Sequence, residues 1–344
     1  MPDNASSARR AKAKPSMGDV AALAGVSSQT VSRVSTGAEH VRPSTRDRVL
    51  DAMRRLGYSP NSAARALKYG AFGVIGIIAH QLSRTGESRT VEAVIEAAQD
   101  EGYTTTVVDV VTPMSTDVSE AAARLSHQSI DGLVIIRAET VTPAMLSLPP
   151  GLPVVVSDSR FVGHHPAVGA DQVNGARRAV EHLLGLGHRT VHHAAGPVDS
   201  GPAQLRIDGW RSALEGAGRE APPLLRGDWT ARSGYEAGRS IAGSPEATAV
   251  FCANDEMAAG LLHALHEAGR RVPGEVSVVG FDDIPLAEHL WPPLTTVRQD
   301  FTEIGTRLVE LLLRQLREDK PLQDVHEVVP VDLVQRASAA PPMD

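Results

Sequence analysis

Between residues 16 and 58, apolar side chains recur at three- and four-residue spacing in three runs, which is the signature of short amphipathic helices. Val20, Leu23 and Ala24 share one face of the first; Val31 and Val34 point inward from the second; Val49, Ala52, Met53 and Leu56 line the third. Ser16 with Asp19 three residues on forms a capping box, and Ser27 can cap the second helix. Between them Gly25 supplies the backbone freedom a tight turn needs. Pro43 suits a first helical position and Gly57 ends the third helix. Two helices so closely joined read as a helix-turn-helix, whose second helix enters the DNA major groove. On that second helix Ser28, Gln29, Ser32 and Arg33 face outward. An ordinary αα-hairpin is the plainer alternative.

The chain breaks at YSPN (58–61), and SAARALK (62–68) follows as an Ala-rich helix-former too short to hold itself unaided. A helix stable only when docked can act as a switch. From Phe72 the period changes, and short apolar runs alternate with longer helical patterns. Strands are expected at 72–79, 104–111, 132–136, 154–157, 190–195, 224–226, 249–253 and 276–280. Helices are expected at 89–100, 118–128, 173–184, 205–215, 233–241 and 257–268. A helix at 304–317 and strands near 328–334 would return to complete the body. Strand–helix alternation predicts α/β architecture with parallel sheets wound on both faces. The strands outnumber what one sheet usually carries, so two similar lobes with a cleft between them follow. Ligands in such folds collect at the carboxyl ends of strands.

Charge sharpens this division. The 344 residues carry a net charge of −7, but residues 1–70 hold 12 Lys/Arg against 5 Asp/Glu. The remainder holds 22 against 36. A basic head on an acidic body suits a protein that meets phosphate at one end only. The single cysteine, Cys252, excludes an internal disulfide framework and lies in an apolar run, so it reads as core in a reducing compartment. No apolar stretch is long enough to span a membrane, and residues 1–15 read as a disordered basic tail rather than a leader, giving a cytoplasmic expectation.

Helix-turn-helix, third helix, YxPN linker, short hinge helix and two-lobed body together resemble the lactose-repressor (LacI/GalR) family of bacterial transcription regulators, over about residues 17–336. The body segments LRIDGW (205–210), GDWT (227–230), ANDEM (253–257), SVVGFDD (277–283) and PPLTTVRQDF (292–301) are similar to those of its glycoside-sensing members. The resemblance implies an all-α helix-turn-helix DNA-binding domain (16–60) and a hinge helix and linker (61–70). A periplasmic-binding-protein-like body of doubly wound parallel sheets (71–338) and a tail (339–344) follow. It also implies a cytoplasmic homodimeric repressor, nucleoid-associated when bound, whose partners are double-stranded operator DNA and a sugar effector. No cofactor, metal, membrane or catalytic residue is expected.

By resemblance, Ser28, Gln29 and Arg33 read bases, and the chemistry agrees: Gln pairs with adenine and Arg with guanine, each worth roughly 1–3 kcal/mol of discrimination. Ser28 replaces the bulky aromatic of lactose-sensing members, so the operator half-site should differ. Ser27, Thr30 and Ser32 suit phosphates. In the hinge, which also holds Asn61, Leu67 matches the family's intercalating leucine and Ala64 its small neighbour. In the body, Asp158, Arg206, Asn254 and Asp282 stand just past strand ends or in a first helical turn, offering planar pairs of donors and acceptors for vicinal hydroxyls. Trp229 and Phe301 offer flat apolar surface to a pyranose, and Gln299 a further polar contact. The polar loop 80–90 would suit a second hydroxylated ring, hence a β-glycoside or disaccharide, lactose-like or cellobiose-like.

Other classes fit less well. His164–His165 and His192–His193 are adjacent pairs that would point to opposite faces of a strand, and neither HExxH nor CxxC accompanies them. The glycines of Gly73 and Gly76 have the wrong spacing for a dinucleotide fingerprint. A sugar-binding transport protein would lack the basic head. A purine or sugar-phosphate effector acting as corepressor stays open, because Arg206 can also pair with an anion.

Overall fold

The computed structural model describes residues 15–35, 41–58, 71–110, 115–136, 148–157, 164–318, 322 and 325–343. The expected N-terminal tail, the hinge helix with Asn61, Ala64 and Leu67, and Asp158 lie outside the described residues. The chain divides into two compact units, residues 1–72 and 73–344.

In the first unit Ser16 opens α1 (Met17–Ala24) with a complete capping box. The Ser16 N–H donates to Asp19 at 2.7 Å, and the Asp19 N–H donates to the Ser16 hydroxyl at 3.3 Å. Gly25 takes a left-handed φ of 63° and closes α1 before α2 (Ser28–Ser35) begins. Pro43 occupies the first position of α3 (Pro43–Leu56), and Gly57, again left-handed, ends it. Val20, Ala21, Ala24, Val31, Val34, Val49, Ala52 and Met53 form the shared core. Leu23 does not join it and is 43% exposed; Ala21 takes the inward place because the short helix turns that flank toward α3.

The second unit holds two six-stranded sheets. The first has order β11-β5-β4-β3-β1-β2 and is parallel throughout, built from β1 (Val74–His80), β2 (Thr104–Val110), β3 (Gly132–Ile136), β4 (Val154–Ser157), β5 (Ala167–Ala170) and β11 (His326–Val329). The helices α4 (Thr85–Asp100), α5 (Ser115–His127) and α10 (Phe301–Glu318) pack on it. The second has order β12-β10-β9-β8-β6-β7, from β6 (His192–Ala195), β7 (Leu225–Arg226), β8 (Ala249–Cys252), β9 (Ser277–Asp282), β10 (Thr295–Arg298) and β12 (Asp332–Val334). Only β12 runs antiparallel to its neighbour there. Its helices are α6 (Gln172–Gly185), α7 (Gly201–Gly216), α8 (Ala231–Ala242) and α9 (Asp255–Glu267). Burial on both faces of the central strands explains their unbroken apolar runs: Ile75, Ile77, Leu133 and Ile135 are all fully buried, each worth about 1.5–3 kcal/mol.

Three differences from the expected elements matter. The 80–90 segment is not a loop throughout, since β1 runs on to His80 and α4 starts at Thr85. β5 and β10 were not expected; each is only four residues long, and both are held by neighbours on either side. The expected tail is tied down where it begins: Ser338 exchanges backbone and side-chain hydrogen bonds with Val278 and Thr295, and Ala340 is clasped by Ser277 and His188.

Candidate functional site

On the first unit, Ser27 caps α2 by accepting from the Thr30 N–H at 3.2 Å, and the two hydroxyls lie 3.0 Å apart. Val31 and Val34 anchor the helix inward, which turns Ser28, Gln29 and Arg33 to solvent; Thr30 and Ser32 are half-buried at its flanks. The helix therefore presents a polar face on a small apolar core.

The second unit contains a cavity of about 630 Å³ between the lobes. One wall is the β1–α4 connection, with Gln81, Ser83, Arg84, Thr85 and Glu87; the other holds Arg206, Asp228, Trp229, Asn254, Glu256 and Asp282. Arg206 enters from the second turn of α7, is 1% exposed, and has its guanidinium 3.8 Å from the centre of the Phe281 ring. Its Nε donates to Gln172 Oε1 at 2.8 Å, Nη1 donates to the Ala253 carbonyl, and Nη2 donates to Asp282 Oδ1 at 3.2 Å. Gln299 Nε2 donates to the same Asp282 oxygen at 2.6 Å.

Asp282 ends β9 with φ 107°, and Asp283 follows with φ 53°. Two consecutive carboxylates in the left-handed region cost free energy that the surroundings must offset. The buried Asp255 does so, accepting from the Ile284 N–H at 2.9 Å and from the Thr296 hydroxyl at 2.5 Å. A Cβ at position 280 would lie 2.1 Å from Asp255 Oδ1, so glycine is required there. Burial, reinforced by the Asp282 charge, raises the Asp255 carboxyl well above the usual range. Arg298 and Arg336 hold Asp283 from the other side, at 2.6 and 2.8 Å. Gln81 (φ 53°) and Trp229 (φ 74°) are also left-handed, so the cavity gathers most of the strained non-glycine backbone among the described residues.

Asn254 caps α9, its Oδ1 accepting from the Met257 N–H at 2.9 Å, while Nδ2 donates to the Trp229 carbonyl and to Glu256 Oε2. It thereby fixes the Trp229 loop as well as lining the cavity. The Trp229 ring lies against Gly196, where a Cβ would sit 2.8 Å from the indole, and its Nε1–H, on a side chain only 6% exposed, has no hydrogen-bond partner among the described residues. Glu256 accepts from the Thr85 hydroxyl across the cleft. The Thr230 hydroxyl holds the Asp228 carboxyl below its ordinary range.

Of the residues singled out from sequence, Arg206, Trp229, Asn254 and Asp282 are brought together on one wall. Gln299 sits behind it, touching Asp282 rather than the cavity. Phe301 does not line the cavity either: it is buried at the start of α10 with the Arg89 guanidinium 5.8 Å from its ring centre. Gln172, Glu256 and Asp228 escaped the sequence reading. Glu256 lies two residues beyond Asn254 in ANDEM, and an acidic first turn is so common a helix-start signal that it draws no notice. His193 is fully buried, its imidazole held down to about 3 by burial, and stacks on Phe251 at 4.7 Å. Cys252 is buried, its thiol pushed up by desolvation. Among the described residues no helix is long and apolar enough to cross a membrane.

Comparison with known proteins agrees with this architecture. The family described as "Bacterial regulatory proteins, lacI family" matches residues 16–61, and "Periplasmic binding protein-like domain" matches residues 180–339. The ribose operon repressor of Escherichia coli K12 is 31% identical over 329 residues, covering 94% of this chain and 99% of the relative. The lactose operon repressor of the same strain is 35% identical over 331 residues, covering 94% and 90%. The crystal structure of the Lac repressor dimer bound to operator and the anti-inducer ONPF superposes with a TM-score of 0.82 at 32% identity, covering 95% of this chain and 99% of that one. Likeness of this extent, running through head and body alike, makes the chain a member of the lacI family of bacterial transcriptional repressors and not an enzyme.

Proposed function

We propose that this repressor binds a near-palindromic operator as a homodimer and lets go when a neutral sugar, a β-glycoside or disaccharide of the lactose or cellobiose kind, enters the interlobe cavity. The protein would reside in the cytoplasm, on the nucleoid when bound. Ser28, Gln29 and Arg33 would read base edges, with Ser27, Thr30 and Ser32 on phosphates. Asn61, Ala64 and Leu67 would serve the hinge and its minor-groove wedge.

The observation that carries the effector class is the charge and wiring of the cavity. Glu87, Asp228, Glu256 and Asp282 face it against Arg84 and Arg206. Arg206 donates through all three of its nitrogens to the protein itself. An excess of carboxylates around a guanidinium so engaged opposes a phosphate and favours a polyol, whose hydroxyls both donate and accept. Trp229 adds a flat ring whose N–H has no acceptor among the described residues. The volume accommodates two sugar rings. Relatives named for ribose and lactose operons support the sugar class. Coupling of the usual 1–3 kcal/mol would change operator affinity about 5–150-fold.

The test is fluorescence anisotropy on a DNA duplex selected by this protein from a random library, with lactose, cellobiose, hypoxanthine and glucose 6-phosphate added in turn. Loosening by a disaccharide alone is the expected outcome. Tighter binding with hypoxanthine, a base that could stack on Trp229, would turn the proposal into corepression and overturn it.

A further inference from the structure

Among the described residues the chain passes between the two sheets at 171–172, at 299–300 and at 330–331. Gln172 and Gln299 stand at the first two crossings, and they are hydrogen-bonded to each other: Gln172 Nε2 donates to Gln299 Oε1 at 3.0 Å. Together with Arg206 and Asp282 they close a circuit of four side chains, all at least nine-tenths buried. The third crossing is drawn in as well, since the Asp171 N–H donates to the Val329 carbonyl at 2.9 Å and Arg178 donates to the Val331 carbonyl at 2.6 Å.

The direction of this circuit is forced. A guanidinium can only donate and a carboxylate can only accept, so Gln172 must turn its oxygen to Arg206, and Gln299 must turn its nitrogen to Asp282. That leaves one way for the two amides to meet, nitrogen of Gln172 to oxygen of Gln299. Rotation of any member breaks at least one bond of this buried circuit.

Resting on the sugar-release reading above, we propose that Gln172 is a positioning residue that ties the cavity floor to the crossings joining the lobes, so that a ligand's pull on Arg206 and Asp282 is felt where one lobe becomes the other. Gln172 does not line the cavity and contacts no ligand; it acts through Arg206 and Gln299.

Two variants of the full chain separate this from a merely structural part. Gln172→Met keeps the length of the side chain and removes both bonds. In hydrogen–deuterium exchange without sugar, amides at 281–284 and 299–303 should exchange at least tenfold faster, while β1 and β8 keep wild-type rates. Uniform acceleration through the body, or none in those two segments, overturns the proposal. Gln172→Glu keeps an acceptor for Arg206 but opposes an oxygen to Gln299 Oε1, which reverses one contact only. It should hold cellobiose affinity within threefold of wild type by calorimetry, while the cellobiose-induced loosening of the selected duplex falls at least fivefold. Equal losses in the two quantities, or undiminished loosening, overturn it. Should the wild-type protein ignore cellobiose and lactose, the sugar reading fails, and the exchange measurement still decides the circuit.

Discussion

Trp229 combines a strained backbone, a nearly complete burial and an indole N–H with no acceptor among the described residues. An unsatisfied buried donor costs roughly 1–3 kcal/mol, and a ligand hydroxyl or ring oxygen would recover it once the ring shifts to uncover Nε1, which is closed to the cavity in this structure. Trp229→Phe should therefore weaken sugar binding about tenfold by calorimetry, yet leave the apo melting temperature within a few degrees, because the relieved N–H offsets the lost ring. Undiminished affinity would show that the indole N–H is not used. Asn254 and Asp282 could be picked from sequence because each stands at a strand end, where the fold class places ligands. Arg206 could be picked because it lies early in a helix, one turn further in than the expected start at 205 implied. Gln172 could not. An amide in the first turn of a helix looks like surface until the opposite crossing is brought against it, and that juxtaposition belongs to the tertiary fold. Phe301 illustrates the converse, an aromatic in a promising motif that packs behind the wall.

Helices α8 and α9 cross at glycines. A Cβ on Gly260 would meet the Ala231 carbonyl at 1.8 Å, and one on Gly234 would meet that of Met257 at 2.0 Å. Helix propensity alone says that Gly→Ala stabilises by up to about 1 kcal/mol. Backbone-to-backbone contact reverses the sign: Gly260→Ala should lower unfolding free energy by about 3 kcal/mol, by urea titration followed through tryptophan fluorescence. The three tryptophans, Trp210, Trp229 and Trp291, all lie in the body, so the signal is confined to it. Increased stability would refute the packing argument. Long periodic helices and fully buried strands were legible because burial on one or both faces writes itself into the apolar pattern. β5 and β10 were not, since four residues with a single valine each are too short to carry a period. The early start of α4 was hidden by polar residues that serve the cavity instead of the core.

For the molecule as a whole, charge is distributed by function. With 12 Lys/Arg against 5 Asp/Glu in residues 1–70 and the excess reversed beyond, duplex binding should lean on phosphate contacts from the head alone. Raising salt from 50 to 200 mM should cut affinity for the selected duplex about 100-fold or more by anisotropy, with little effect on calorimetric sugar affinity. A flat salt response would deny the head its phosphate role. The order in which the architecture is completed follows from where its edges come from. The head closes on residues before 59, whereas β11 at the edge of one sheet, β12 at the edge of the other, and the Ser338–Ala340 clasp all come from residues beyond 325. A ribosome working from the first residue thus delivers a folded head long before either lobe can be finished. For the interval in between, the nascent chain owns its reader but has nothing yet to govern it.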